Sequence, residues 1–150
     1  MNRLITISHK ELRLTHILEL LKKFDNCFHP PFSQSIDLET YADKLSQHAY
    51  FIVAEVESQI VGLLAYYRND LEKELYVPYL VVDNDFQGLS IGKLMLEKLN
   101  YIHEGIYRAV VLEVVKTNFK ALHFYKRNGF KEDEDRGDKF LMIKRLCVHQ

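Results

Sequence analysis

The apolar run Leu80-Val81-Val82 is followed by Asp83-Asn84-Asp85-Phe86-Gln87-Gly88-Leu89. From Ser90 onward Ile91, Leu94, Met95, Leu99 and Ile102 then recur at helical spacing. This is a strand that feeds a glycine-containing turn into a helix, which commits the chain to an architecture of helices packed on a sheet. Such a junction aims several free backbone amides and the positive end of the helix dipole at one point, a geometry suited to a phosphate or diphosphate. Gly88 and Gly92 have no Cβ to obstruct an anion. The segment has neither the GxxxxGK[ST] nor the GxGxxG spacing. Taken alone, a helix start that needs small residues for close packing accounts for it equally well.

The rest of the chain predicts the order β-α-α-β-β-β-α-β-α-β-β, an α/β fold with a mixed, mostly antiparallel sheet flanked by helices. A first strand covers the N-terminal seven residues. Ser8 and Glu11 have the spacing of a capping box ahead of a helix carrying Leu14, Ile17, Leu18 and Leu21. Phe28-His29-Pro30-Pro31-Phe32-Ser33 is a non-helical, aromatic loop, and Asp37 caps a second helix with Leu38, Tyr41, Ala42 and Leu45 on its apolar face. The runs 50–56 and 60–67 read as a hairpin, and 74–82 as a strand whose Pro78 predicts a bulge or a break in pairing. Ala109-Val110-Val111-Leu112-Glu113-Val114-Val115 reads as a buried strand, 118–126 as a helix, and 130–145 as a final strand pair. The mixed-charge run from Lys131 to Lys139 reads as its solvated turn.

Length and charge bound the rest. The 150 residues fit a single domain spanning 1–150. Net charge is -1 and the basic residues are scattered among acids, which disfavours nucleic acid as the partner. No stretch approaches the roughly 20 apolar residues of a membrane-spanning helix, and the N-terminus lacks signal-peptide character, so a cytoplasmic location is expected. Cys27 and Cys147 lie far apart without zinc spacing, so reduced thiols and no metal are expected.

Asn118-Phe119-Lys120-Ala121-Leu122-His123-Phe124-Tyr125-Lys126-Arg127-Asn128-Gly129-Phe130 is the second informative segment. Singly, Asn118 is a natural helix cap, Tyr125 an ordinary aromatic and Gly129 a helix terminator. Together the segment resembles the signature Asn-x-x-Ala-x-x-[Phe/Leu]-Tyr-x-x-x-Gly-Phe of the GNAT N-acetyltransferase superfamily. Gln87-Gly88-Leu89-Ser90-Ile91-Gly92 is similar to that family's diphosphate signature, with Ser90 in place of its middle glycine. The resemblance implies a transferase that moves the acetyl group of acetyl-CoA to an amine. By it, the amides of Gln87, Gly88, Leu89, Ser90, Ile91, Gly92 and Lys93 hold the diphosphate, Val81 and Val82 line the pantetheine arm, Asn118 contributes to the coenzyme site, and Tyr125 protonates the departing sulfur. Many relatives use a Glu as general base at the position that is here Tyr76. Glu74, two residues away on the same strand face, is the candidate, with Asp70 and Glu72 behind it.

The acceptor is expected at Phe28, His29, Phe32, Tyr67, Asn69 and Tyr76, an aromatic and amide-rich set suited to stacking on a sugar. A small amine such as an amino sugar or nucleotide-linked amino sugar is the first expectation. An amino acid, a polyamine, a protein N-terminus, or acyl-CoA binding without turnover are the alternatives, with the protein acting as a monomer or homodimer.

Overall fold

The structure, a computed structural model that describes residues 4–147, contains β1 (Ile5–His9), α1 (Leu14–Lys23), α2 (Leu38–His48), β2 (Tyr50–Val56), β3 (Gln59–Asn69) and β4 (Glu74–Val82). These are followed by α3 (Ile91–His103), β5 (Ala109–Val115), α4 (Phe119–Arg127), β6 (Lys131–Asp135) and β7 (Lys139–Arg145). The order matches the expectation. The seven strands hydrogen-bond in the order β1-β2-β3-β4-β5-β7-β6, with β4 and β5 parallel and β1/β2, β2/β3, β5/β7 and β6/β7 antiparallel. The chain divides into two units, one of residues up to Tyr66 with Tyr79–Lys98, the other of Tyr67–Pro78 with residues from Leu99 onward. Among the described residues no helix is long and apolar enough to cross a membrane, and no group of potential ligands gathers to hold a metal.

In the first unit, Glu57 and Ser58 both take positive φ (50° and 66°), the twist that a two-residue hairpin turn needs to join β2 to β3. Ile52, Val53, Leu63 and Leu64 have no exposed surface. Since successive strand residues point to opposite faces, both faces of this hairpin are covered. Gly62 permits the closest approach: a Cβ there would meet Met95 Cε at 3.0 Å, Ala54 Cβ at 3.2 Å and Ile91 Cγ2 at 3.2 Å. The start of α3 therefore docks directly on β3. Gly62→Val is expected to lower stability by about 1–3 kcal/mol through overpacking, read as a lower urea midpoint at unchanged m.

The Ser8–Glu11 capping box does not form. Ser8 lies within β1 opposite Val53, Lys10 N–H donates to Phe51 O at 3.0 Å, and α1 begins only after Arg13, which makes no side-chain cap. Continued pairing with β2 outweighs a local cap worth about 1 kcal/mol. Asp37 does occupy the N-cap of α2, its carboxylate accepting from the Thr40 hydroxyl at 2.6 Å. The aromatic loop is non-helical through Pro31, but Phe32–Gln34 closes a single 3-10 turn.

In the second unit the parallel ladder joins Glu74, Leu75 and Tyr76 to Ala109, Val110 and Val111. Two residues later β4 reaches Pro78, which has no N–H to add. β5 pairs along its whole length with β7, from Ala109↔Arg145 to Val115↔Lys139. Ala109, Val111, Leu141 and Ile143 form a core against which Tyr76 packs. The charge run expected as a turn is mostly strand. Lys131–Asp135 forms β6, fully exposed, with a register irregularity between Glu132 and Glu134. Pairing to β7 uses only backbone groups, and the acids are matched by Lys126–Glu132 (3.0 Å), Lys116–Asp135 (2.6 Å) and Arg136–Glu134 (3.1 Å).

Candidate functional site

In the first unit β4 ends where Asp83 N–H donates to Val61 O at 2.8 Å. The Asp83 carboxylate accepts from Asp85 N–H at 3.0 Å, closing the short turn Asn84–Phe86. Gln87 folds back, its amide donating to Asn84 Oδ1 at 3.1 Å and Val82 O at 3.4 Å. Gly88 (φ 83°) and Ser90 (φ 62°) are both left-handed. Serine thus holds a backbone conformation that costs a non-glycine residue about 1–2 kcal/mol. Leu94 N–H bonds to Ser90 O at 3.0 Å, so the amides of Ile91, Gly92 and Lys93 occupy the first helical turn, where the helix supplies no acceptor. Residues 87–90 are exposed, and a Cβ added to Gly88 would meet nothing within 4 Å. An open, amide-rich turn ahead of a helix dipole fits a diphosphate. Gly92 is buried in α3, while Lys93 pairs with Glu97 at 3.9 Å. Val81 is buried and Val82 half-buried. Beneath the turn, burial raises the Cys27 pKa, with Asp83 and Asp85 adding to the rise and the Asn84 N–H opposing it.

The second unit carries α4. The Asn118 carboxamide accepts from Ala121 N–H at 3.1 Å, as a cap does. Tyr125 lies between Phe124 and Phe130, edge-on to both at 5.1 and 5.4 Å, and Phe130 N–H donates to Tyr125 O at 3.0 Å after the left-handed Gly129 (φ 91°). Burial pushes the Tyr125 phenol well above its ordinary value. It is therefore protonated throughout the neutral range, the form a proton donor needs.

The expected acceptor residues fall into two groups, one in each unit. In the first, Phe28 and Phe32 pack on each other (5.2 Å), both meet Tyr79 at 5.5 Å, and Phe32 meets Tyr41 at 5.1 Å. The loop rings are thus engaged with one another, and His29 is exposed. Tyr79 is 3% exposed and, among the described residues, its hydroxyl has no hydrogen-bond partner. In the second, Tyr67 stacks on Tyr76 at 6.4 Å with the planes 5° apart, and Asn69 Oδ1 accepts from Glu72 N–H at 3.1 Å. The Glu74 carboxylate is held by Arg108 at 2.7 Å, whose Nε also donates to Glu72 O. The Tyr107 hydroxyl donates to Asp70.

Tyr76 identifies a residue that the sequence reading passed over. Its hydroxyl donates to Glu113 Oε1 at 3.0 Å, and its pKa is pushed up to about 12, first by burial and then by that carboxylate. Glu113 Oε2 faces Arg136 Nη1 at 3.5 Å. The signal was a lone carboxylate in the apolar run of β5, a position where an acid needs partners.

The Acetyltransferase (GNAT) family model matches residues 17–130. An uncharacterized N-acetyltransferase from Methanocaldococcus jannaschii is 35% identical over 102 residues, covering 64% of this chain and 45% of the relative. An N-alpha-acetyltransferase from Sulfurisphaera tokodaii is 32% identical over 96 residues, covering 56% and 58%. The chain thus spans about half the length of these curated relatives. The PaiA N-acetyltransferase of Thermoplasma acidophilum, solved in complex with coenzyme A, superimposes with a TM-score of 0.75 at 19% identity, covering 94% of this chain and 99% of that one. The match over residues 17–130, together with the turn before α3 and the motif on α4, makes this chain a member of the acetyltransferase (GNAT) family.

Proposed function

We propose that the protein transfers the acetyl group of acetyl-CoA to a primary amine. The observation that carries this reading is the turn at 87–93, exposed from 87 to 90, with two left-handed residues and open space at Gly88 just ahead of the first turn of α3, whose amides have no acceptor within the helix. The amides of Gln87 to Lys93 hold the diphosphate, and the Val81–Val82 backbone serves the pantetheine arm and the carbonyl oxygen as it gains charge. When bound, acetyl-CoA supplies a thioester carbonyl for attack. Glu113 removes a proton from the acceptor ammonium, so that the nitrogen lone pair forms the new C–N bond. The C–S pair leaves on sulfur, and Tyr125 gives that sulfur its proton. Net, the ammonium nitrogen loses two protons and gains the acetyl group: Glu113 takes the first and passes it to solvent, the second leaves the nitrogen once the C–N bond has formed and restores the Tyr125 phenol, and coenzyme A leaves as the thiol. Glu113 is preferred to Glu74 because Arg108 holds the latter at 2.7 Å, whereas Glu113 receives the hydroxyl of the residue at the family's base position.

For the acceptor we place a polypeptide α-amine ahead of an amino sugar. The 32% identical relative is named for N-alpha-acetylation, and the Phe28 and Phe32 rings that suggested sugar stacking are occupied with Tyr41 and Tyr79. Incubating the protein with acetyl-CoA and glucosamine, spermidine or tetra-alanine, while following free thiol, tests this order. Release with tetra-alanine alone supports it, and release with glucosamine alone restores the amino sugar. Coenzyme binding without release from any acceptor marks a binding module.

Gly88→Val is expected to weaken acetyl-CoA binding by on the order of tenfold or more, because a β-branched residue resists the left-handed backbone that aims the amides. Calorimetry on the folded variant checks this. Unchanged affinity removes the turn from the coenzyme site.

A further inference from the structure

The geometry points to Arg136 as an exchangeable counter-ion. We propose that in the resting protein its guanidinium holds the place at Glu113 that the acceptor's ammonium takes. The proposal rests on the reading of Glu113 as the base.

Both oxygens of Glu113 are engaged, Oε1 by the Tyr76 hydroxyl at 3.0 Å and Oε2 by Arg136 Nη1 at 3.5 Å. The two contacts differ in kind. Tyr76 is fixed, packed against the β5/β7 core and stacked on Tyr67. Arg136 stands in the turn between β6 and β7, with its side chain 42% exposed and followed by the left-handed Gly137 in open space. Its Nη2 has a second carboxylate, Glu134, at 3.1 Å. Releasing Glu113 therefore leaves the guanidinium paired, and the longer, exposed contact is the one a small cation displaces. The acceptor class is an amine that arrives protonated, with Tyr76 holding one carboxylate oxygen still while the other receives the ammonium. Arg136 is a positioning residue: it competes with the acceptor and has no part in bond making.

Steady-state kinetics with tetra-alanine, or with whichever of glucosamine and spermidine turns over, separates the outcomes. Arg136→Gln should lower the acceptor KM by roughly 1.4- to 5-fold, the range an exposed ion pair supports, with the acetyl-CoA KM unmoved and kcat within about twofold. Glu134→Ala should do the opposite and raise the acceptor KM, because Arg136 is left with Glu113 alone among the carboxylates described. A structural role for the hairpin would shift both variants the same way. An acceptor KM that rises or stays put in Arg136→Gln, or falls or stays put in Glu134→Ala, overturns the exchange. Glu113→Gln distinguishes the two failures: wild-type kcat there refutes the base reading and the exchange with it, whereas a large loss of kcat with unmoved KM in the Arg136 variant refutes the exchange alone.

Discussion

Tyr125→Phe is expected to lower kcat by about 10² to 10⁴, the usual worth of a general acid, while acetyl-CoA affinity barely changes. The substitution keeps the ring that packs edge-on to Phe124 and Phe130 and removes only the hydroxyl. Burial raises this phenol above 10, so the donor keeps its proton across the neutral range. The alkaline limb it imposes on kcat should lie above pH 10 and disappear in the variant. The defect should also shrink with an acetyl thioester of a more acidic thiol, which departs with less need of a proton. Wild-type kcat under conditions where chemistry limits the rate would return Tyr125 to a packing residue.

For Glu113→Gln, kcat/KM for the acceptor should fall by about 10² to 10⁴ near neutral pH. Glutamine keeps an oxygen for the Tyr76 hydroxyl but cannot accept the ammonium proton. The deficit should narrow as pH approaches the acceptor's own pKa, about 8 for an α-amine, because free amine then needs no base. A loss independent of pH indicates disturbed packing instead. The same profile on Glu74→Gln separates the two carboxylates: a larger deficit there than at Glu113 assigns the proton to Glu74 and its release from Arg108.

The element order and the two signature segments were legible in the sequence because each is a local pattern. Strand Glu74–Val82, strand Ala109–Val115 and the Asn118 cap follow from periodicity and capping chemistry within a few residues. What escaped depends on pairing between distant segments. Ser8 and Glu11 have the letters of a cap, but β2 claims the backbone of Ser8 from 45 positions away at Val53. The charges of Lys131–Asp135 suggest a turn until β7 is known to lie alongside. Glu113 was visible as a letter but mute as a site. Its meaning comes from the register Tyr76↔Val111, which puts Glu113 two positions along the neighbouring strand, on the face that Tyr76 shares.

At Ser90 the turn fixes a backbone angle and leaves the side chain open. Its φ of 62° is one that glycine adopts freely, and docking of Ile91 and Met95 on β3 at Gly62 holds the backbone there whatever the side chain prefers. What the turn requires at this position is a torsion angle, and asparagine or aspartate would satisfy it nearly as well as glycine or serine. Leu89, half exposed between two left-handed neighbours, is under no such demand. Glycine at the middle position is thus one way of meeting the turn's demand and not the demand itself.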